Sequence, residues 1–229
     1  MGEACFHPLQ LRTGGGLDLR QDAFPSRVQT WDASEMELFG DGTSFGFLQD
    51  GEATLTCELG KFPLRAGMYF SLPQAGRVEG QGRGLVITQL NYQGLFQLGG
   101  PVEEQGRLQY IDGCTDTLLI SPVRWGDPCL NLLHIPPGTE QTQHTHPSFR
   151  AGVIVSGHGQ CITPSGDFEL SPGLAFVIPA EGLHSFHTQE EALRVIAYHP
   201  DSDFGPTDEA HPMINRTIIP AHEMPSVRS

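Results

Sequence analysis

The chain has 229 residues, and 13 Lys and Arg against 27 Asp and Glu give a formal charge of −14. That sign disfavours nucleic acid and anionic membrane surfaces as partners. The 28 glycines and 18 prolines, about a fifth of the chain, promise frequent turns and few long helices. Apolar residues recur along nearly the whole length, so a disordered chain is excluded. No window approaches the roughly 18 consecutive apolar residues of a membrane-spanning helix. The first residues lack the basic and apolar regions of a secretory signal. Five cysteines, an odd number without a C-x-x-C pair, fit free thiols in a reducing cytoplasm, the expected location.

In chain order, Thr13-Gly14-Gly15-Gly16 comes first. No Lys-Ser or Lys-Thr follows it, so it reads as a turn rather than a phosphate loop. Short apolar runs then follow at 45–48, 85–90, 118–120, 130–135, 152–155, 175–178 and 193–198. Their length and their Val, Ile, Leu and Phe content are those of strands. Asp50-Gly51, Ser156-Gly157, Ser165-Gly166 and Pro172-Gly173 supply turns between them. The expected fold class is all-β, a sandwich or barrel. The tail from Pro200 holds Pro206, Pro212, Pro220 and Pro225, so it is not one regular element. It is expected to wrap a barrel or reach a neighbouring subunit, and 213–219 could add a strand.

The chain also repeats itself. A shift of 106 residues superposes Gly46 on Gly152, Gly51 on Gly157, Gly60 on Gly166, Phe62 on Phe168 and Leu64 on Leu170. In the same gapless window Gly67 falls on Gly173, Phe70 on Phe176, Pro73 on Pro179 and Gly76 on Gly182. Equally spaced glycines mark equivalent turns. Two homologous β-domains follow, 1–105 and 106–229, with the linker near 99–107.

The chemistry concentrates in the second half. Gly138-x5-His144-Thr145-His146 is followed by Gly157 and later by Gly173-x5-Pro179-x2-Gly182-x-His184. Residues two apart on a strand face one side, so His144 and His146 can grip one metal ion. His184 on a later hairpin would complete a three-histidine site with open positions.

This spacing closely resembles the two motifs of the cupin superfamily, G-x5-H-x-H-x3,4-E-x6-G and G-x5-P-x-G-x2-H-x3-N. The resemblance spans both halves, as in bicupins. It implies two tandem antiparallel β-barrels of jelly-roll type, with His144, His146 and His184 as metal ligands. Three positions depart from the pattern. Arg150 stands where the first motif has its ligand Glu, Gly182 is displaced by one position, and Thr188 replaces the Asn. Three histidines plus water are therefore expected, with Glu140 and Gln143 as fallback ligands. The 106-residue shift puts Leu38, Gly40 and Val78 at the positions of the histidines. The first half is expected to be a degenerate barrel without metal, packing against its sister or a second subunit.

Arg150 has two readings. It either forms a salt bridge at the barrel mouth or points inward and holds a substrate carboxylate in its two-pronged donor fork. Tyr198, on the last expected strand, could bring a hydroxyl to the site or serve as a core aromatic. His187 is expected on the surface, His134 buried, His158 solvated at a turn, and Cys161 in packing. His7, His199, His211 and His222 carry no motif.

The resulting expectation is a metal-dependent bicupin enzyme acting on a small anionic metabolite, with one divalent ion. Iron would suit oxygen chemistry, as the resemblance to three-histidine cupin dioxygenases implies. Zinc, manganese or nickel would suit isomerase or lyase chemistry. A non-catalytic cupin that binds or senses a small ligand is the alternative from another class. A homodimer is expected.

Overall fold

The computed structural model of the chain describes residues 5–215, 217 and 218. The first half forms β1 (His7–Gln10), β2 (Gly15–Leu19), β3 (Ser26–Asp32), β4 (Glu35–Phe39), β5 (Gly42–Asp50) and β6 (Glu52–Cys57). It continues with β7 (Gly60–Arg65), β8 (Tyr69–Leu72), β9 (Ala75–Gly80), β10 (Arg83–Leu90) and β11 (Gln97–Gly99). The second half forms β12 (Leu108–Gln109), β13 (Thr115–Ile120), β14 (Cys129–Ile135), β15 (Arg150–Ser156) and β16 (Gly159–Thr163). The last strands are β17 (Gly166–Leu170), β18 (Leu174–Ile178), β19 (Ser185–Thr188) and β20 (Leu193–His199). Every paired strand is antiparallel to its neighbour, and the expectation of an all-β fold holds.

The two halves share one strand order. The larger sheet of the first runs β11-β8-β5-β10-β3-β2, and that of the second runs β1-β18-β15-β20-β14-β13-β12. Smaller sheets, β4-β9-β6-β7 and β17-β16-β19, lie with them. The edge beside β18 is filled from the chain's start: β1 pairs with it from His7↔Val177 to Gln10↔Leu174. Phe6, just before, stacks on Phe176 with ring centroids 5.5 Å apart.

The repeated glycines have physical causes. Gly46 pairs with Phe70 and Gly152 with Phe176, at equivalent places in the two sheets. A Cβ on Gly46 would lie 2.2 Å from the Phe70 ring, and one on Gly152 would lie 2.7 Å from that of Phe176. Each glycine thus leaves room for a ring to cross the strand. Gly60 and Gly166 share φ +134, a conformation open mainly to glycine.

Alternation along the strands divides the core. Ile196 and Tyr198 of β20, Leu130 and Leu132 of β14, and Ala151 and Val153 of β15 face the other half. There they meet Val28, Phe45, Phe47, Leu85 and Ile87 in one buried cluster. The interior of the first barrel is closed by Trp31, Met36, Leu38, Phe70 and Val78. The interior of the second is apolar only at depth, around Ile135, Ile154, Leu170, Leu193 and Val195. Its upper part is open.

After β20 the chain runs irregularly to a short helix, Pro212–Asn215, where the expected strand over 213–219 would begin. His222 and the end of the tail lie outside the described residues.

Candidate metal centre

The open end of the second barrel is a cavity of about 690 Å³, within the range of small-molecule sites. His144, His146, Arg150, His184, Asn131, Asp116 and His199 all line it.

Backbone pairing fixes the histidines. His144 and His184 stand opposite each other in an antiparallel bridge. Each donates its N–H to the other's carbonyl, at 3.0 and 3.1 Å. His146 follows two residues later, and its carbonyl accepts the N–H of Glu181 at 2.8 Å. The three side chains each offer a ligand nitrogen, and these nitrogens lie within 4.8 Å of one another. Among the described residues no other group of His, Cys, Asp and Glu comes together in this way.

The donor set fits a divalent ion. His144 Nδ1 lies 2.8 Å from the Thr142 carbonyl, and His184 Nδ1 lies 2.8 Å from the Gly182 carbonyl. A carbonyl only accepts, so both Nδ1 atoms carry the proton and both Nε2 lone pairs are free for a metal. Burial, then the Arg150 charge, lowers His146 to about 3, and burial lowers His184 to about 4. Both rings are therefore neutral near pH 7, the form that ligates. Leu38 and Val78 occupy the related places in the first barrel and are buried in its apolar core.

The departures from the motifs also find physical accounts. The motif's glycine position holds Glu181, which adopts the left-handed conformation at φ +56. Its carboxylate accepts a hydrogen bond from Thr145 Oγ1 at 3.1 Å. Thr188 donates to the Pro136 carbonyl at 2.5 Å and accepts from Thr139 N–H at 3.0 Å, tying the loop before His144 to β19. Arg150 starts β15 and its side chain is 11% exposed. Its Nη1 donates to Ser148 Oγ at 2.6 Å and to the carbonyls of Ser148 and Phe149 at 3.2 and 3.0 Å. Asp201 Oδ1 lies 3.7 Å from the same nitrogen and accepts a short hydrogen bond from Ser148 Oγ. The buried Nε has no partner among the described residues.

Arg150 combines features of both readings. It forms an ion pair within the chain, and it also lines the cavity. Tyr198 is not at the site. It is fully buried in the core between the halves, and its hydroxyl donates to Gln89. Of its two readings, Tyr198 takes that of a core aromatic. Its neighbour His199 has the parity of Ala197 and lines the cavity, with its ring centroid 6.3 Å from that of His146. No motif marked His199, although alternation along β20 would have found it. Glu140 is bridged to His187 on the far side of β19, and Gln143 is exposed, so neither joins the three histidines. Gln141 between them is buried and lines the cavity, where its Oε1 accepts the Phe186 N–H at 3.2 Å. His134 and Cys161 are buried, and His158 is exposed beside Glu191, as expected.

Residues 131–199 match the family described as Cupin domain. A cupin 2 conserved barrel domain protein from Leptotrichia buccalis superposes with a TM-score of 0.58 at 14% identity. That match covers 86% of this chain and 90% of the other. Salicylate 1,2-dioxygenase from Pseudoaminobacter salicylatoxidans, as its G106A mutant, gives a TM-score of 0.55 at 12% identity, covering 76% and 69% of the two chains. Oxalate decarboxylase from Bacillus subtilis, described with Mn(II) centres, gives 0.52 at 11% identity, covering 88% and 76%. No curated protein matches the chain in sequence. Residues 131–199 thus match a cupin domain, and the fold of the chain is that of these structures.

Proposed function

We propose that the chain is a metal-dependent enzyme that acts on a small carboxylate, with dioxygenation as its reaction. The observation that carries this reading is one cavity holding three imidazoles, gathered within 4.8 Å, together with a desolvated guanidinium. His144, His146 and His184 would hold the ion. Bound there, a divalent iron would supply Lewis acidity and a binding position for oxygen. No carboxylate belongs to the ligand group, so the site keeps the full charge of the ion. Similarity in fold to a salicylate dioxygenase supports the oxygen-dependent choice.

The chain's own residues do the rest. Arg150 would orient the substrate, its unpartnered Nε and neighbouring Nη2 forming the two prongs that a carboxylate accepts from. Phe176, Ile178 and Phe186 exclude water from the floor. Oxygen uptake by iron-loaded, tag-free protein across a panel of small aromatic and aliphatic carboxylates tests the reading. Uptake with at least one acid, lost in Arg150→Ala, supports it. Carboxylate turnover without oxygen uptake would replace dioxygenation with lyase or isomerase chemistry.

A further inference from the structure

One part of the cavity is left unused by this reading. Asp116 of β13 and Asn131 of β14 line it. Asn131 Nδ2 donates to Asp116 Oδ2 at 3.3 Å, which turns the carboxylate and leaves its Oδ1 without a hydrogen bond among the described residues. Asn131 is 8% exposed, and its own Oδ1 is buried with no partner among the described residues. Asn131 Oδ1 is shut off from the cavity, whereas the Asp116 carboxylate, on a half-buried residue, lines it. A carboxylate oxygen there can accept from a ligand or water that brings an N–H or O–H group.

Asp116 and Arg150 stand on different strands, β13 and β15, of the cavity wall. The register explains the spacing. Asn131 pairs with Ala197, and Ala197 pairs with Gly152, two residues along β15 from Arg150. Two strand spacings separate β14 from β15, about 10 Å at the backbone. Between them lies the small side chain of Ala197, which leaves the span open.

We propose that Asp116, oriented by Asn131, is a second recognition group that takes an N–H donor at the end of the substrate opposite its carboxylate. The substrate class is then a small acid that also carries an amine or amide a few atoms away. This inference rests on the reading of Arg150 as the carboxylate receptor.

Calorimetry on the metal-loaded protein tests it with matched probes: propionate and β-alanine, butyrate and 4-aminobutyrate, valerate and 5-aminovalerate. At one of these lengths the amino acid is expected to bind at least about tenfold more tightly than its plain partner. In Asp116→Asn, a near-isosteric change, that ratio should fall to about one, because the charge-assisted contact is lost. No gain from the amino group at any length, or a gain that survives Asp116→Asn, overturns the inference. Plain acids that bind and are weakened by Arg150→Ala uphold the carboxylate reading independently. If none of the acids binds, the carboxylate reading fails and this inference fails with it.

Discussion

At Arg150 the protein supplies its own anion. Asp201 comes from the segment after β20, 51 positions along the chain, and competes with any substrate for the guanidinium. Asp201→Asn should therefore strengthen the binding of a simple carboxylate by several-fold, measured by calorimetry, while Arg150→Ala weakens it. A weaker affinity in Asp201→Asn would assign Asp201 to holding Arg150 in place. Asp116 has a stability signature of its own. Burial raises it from 3.8 to about 6. Below pH 4 the carboxyl is neutral in both the folded and the unfolded chain. Between about 4 and 6 the unfolded chain releases the proton first, so stability falls, and above 6 the cost is constant. Asp116→Asn should raise the melting temperature at pH 7 by a few degrees, an effect on the order of 1 kcal/mol after solvent screening. The gain should vanish below about pH 4. At this scale His144 and His146 were legible from their local spacing, and His184 from the glycine and proline spacing of the second motif. The Arg150 partner was not, because nothing in the sequence ties position 150 to position 201. The two readings of Tyr198 stayed open because burial on one face and access on the other alternate residue by residue.

The pairs Gly46 with Phe70 and Gly152 with Phe176 are one device used twice. The sequence showed them as two of its repeated identities, and the structure shows why they recur: each ring needs the space that a Cβ would fill. Gly152→Ala also meets the Ile196 carbonyl, 2.2 Å from the added carbon, so backbone as well as ring must shift. Both Gly46→Ala and Gly152→Ala should cost about 1–3 kcal/mol by chemical denaturation. An unchanged midpoint in either would show that the ring moves aside freely. Strand existence was legible from the apolar runs and turn dipeptides. Shorter elements such as β4 and β12, and the helical turn at Pro212–Asn215, were not, because their pattern is carried by too few residues.

Across the whole molecule, the strand orders of the halves match, but the chain does not divide as simply as its repeat suggests. β1 lies in the first 105 residues and closes the edge of the second half's larger sheet. Phe6 packs against Phe168 and Phe176 of that half, with the nearer centroid at 4.9 Å. A fragment of residues 106–229 should lack a cooperative thermal transition, and removal of residues 1–12 from the full chain should lower the melting temperature. A sharp transition in the fragment, near that of the parent, would show that β1 is dispensable. This exchange could not be read from the sequence, since His7–Gln10 is a four-residue segment with no partner signal of its own. The repeat revealed two related units but not which strand completes each.

One divalent ion is expected on His144, His146 and His184. Elemental analysis of tag-free protein, after iron loading and desalting, tests it most directly. The account predicts close to one ion per chain in the parent. It predicts less than a tenth of that in His144→Ala and in His184→Ala, whose circular dichroism should stay that of a folded β-protein. A parent that holds no ion after loading, or a triple alanine variant that still holds one, would contradict it.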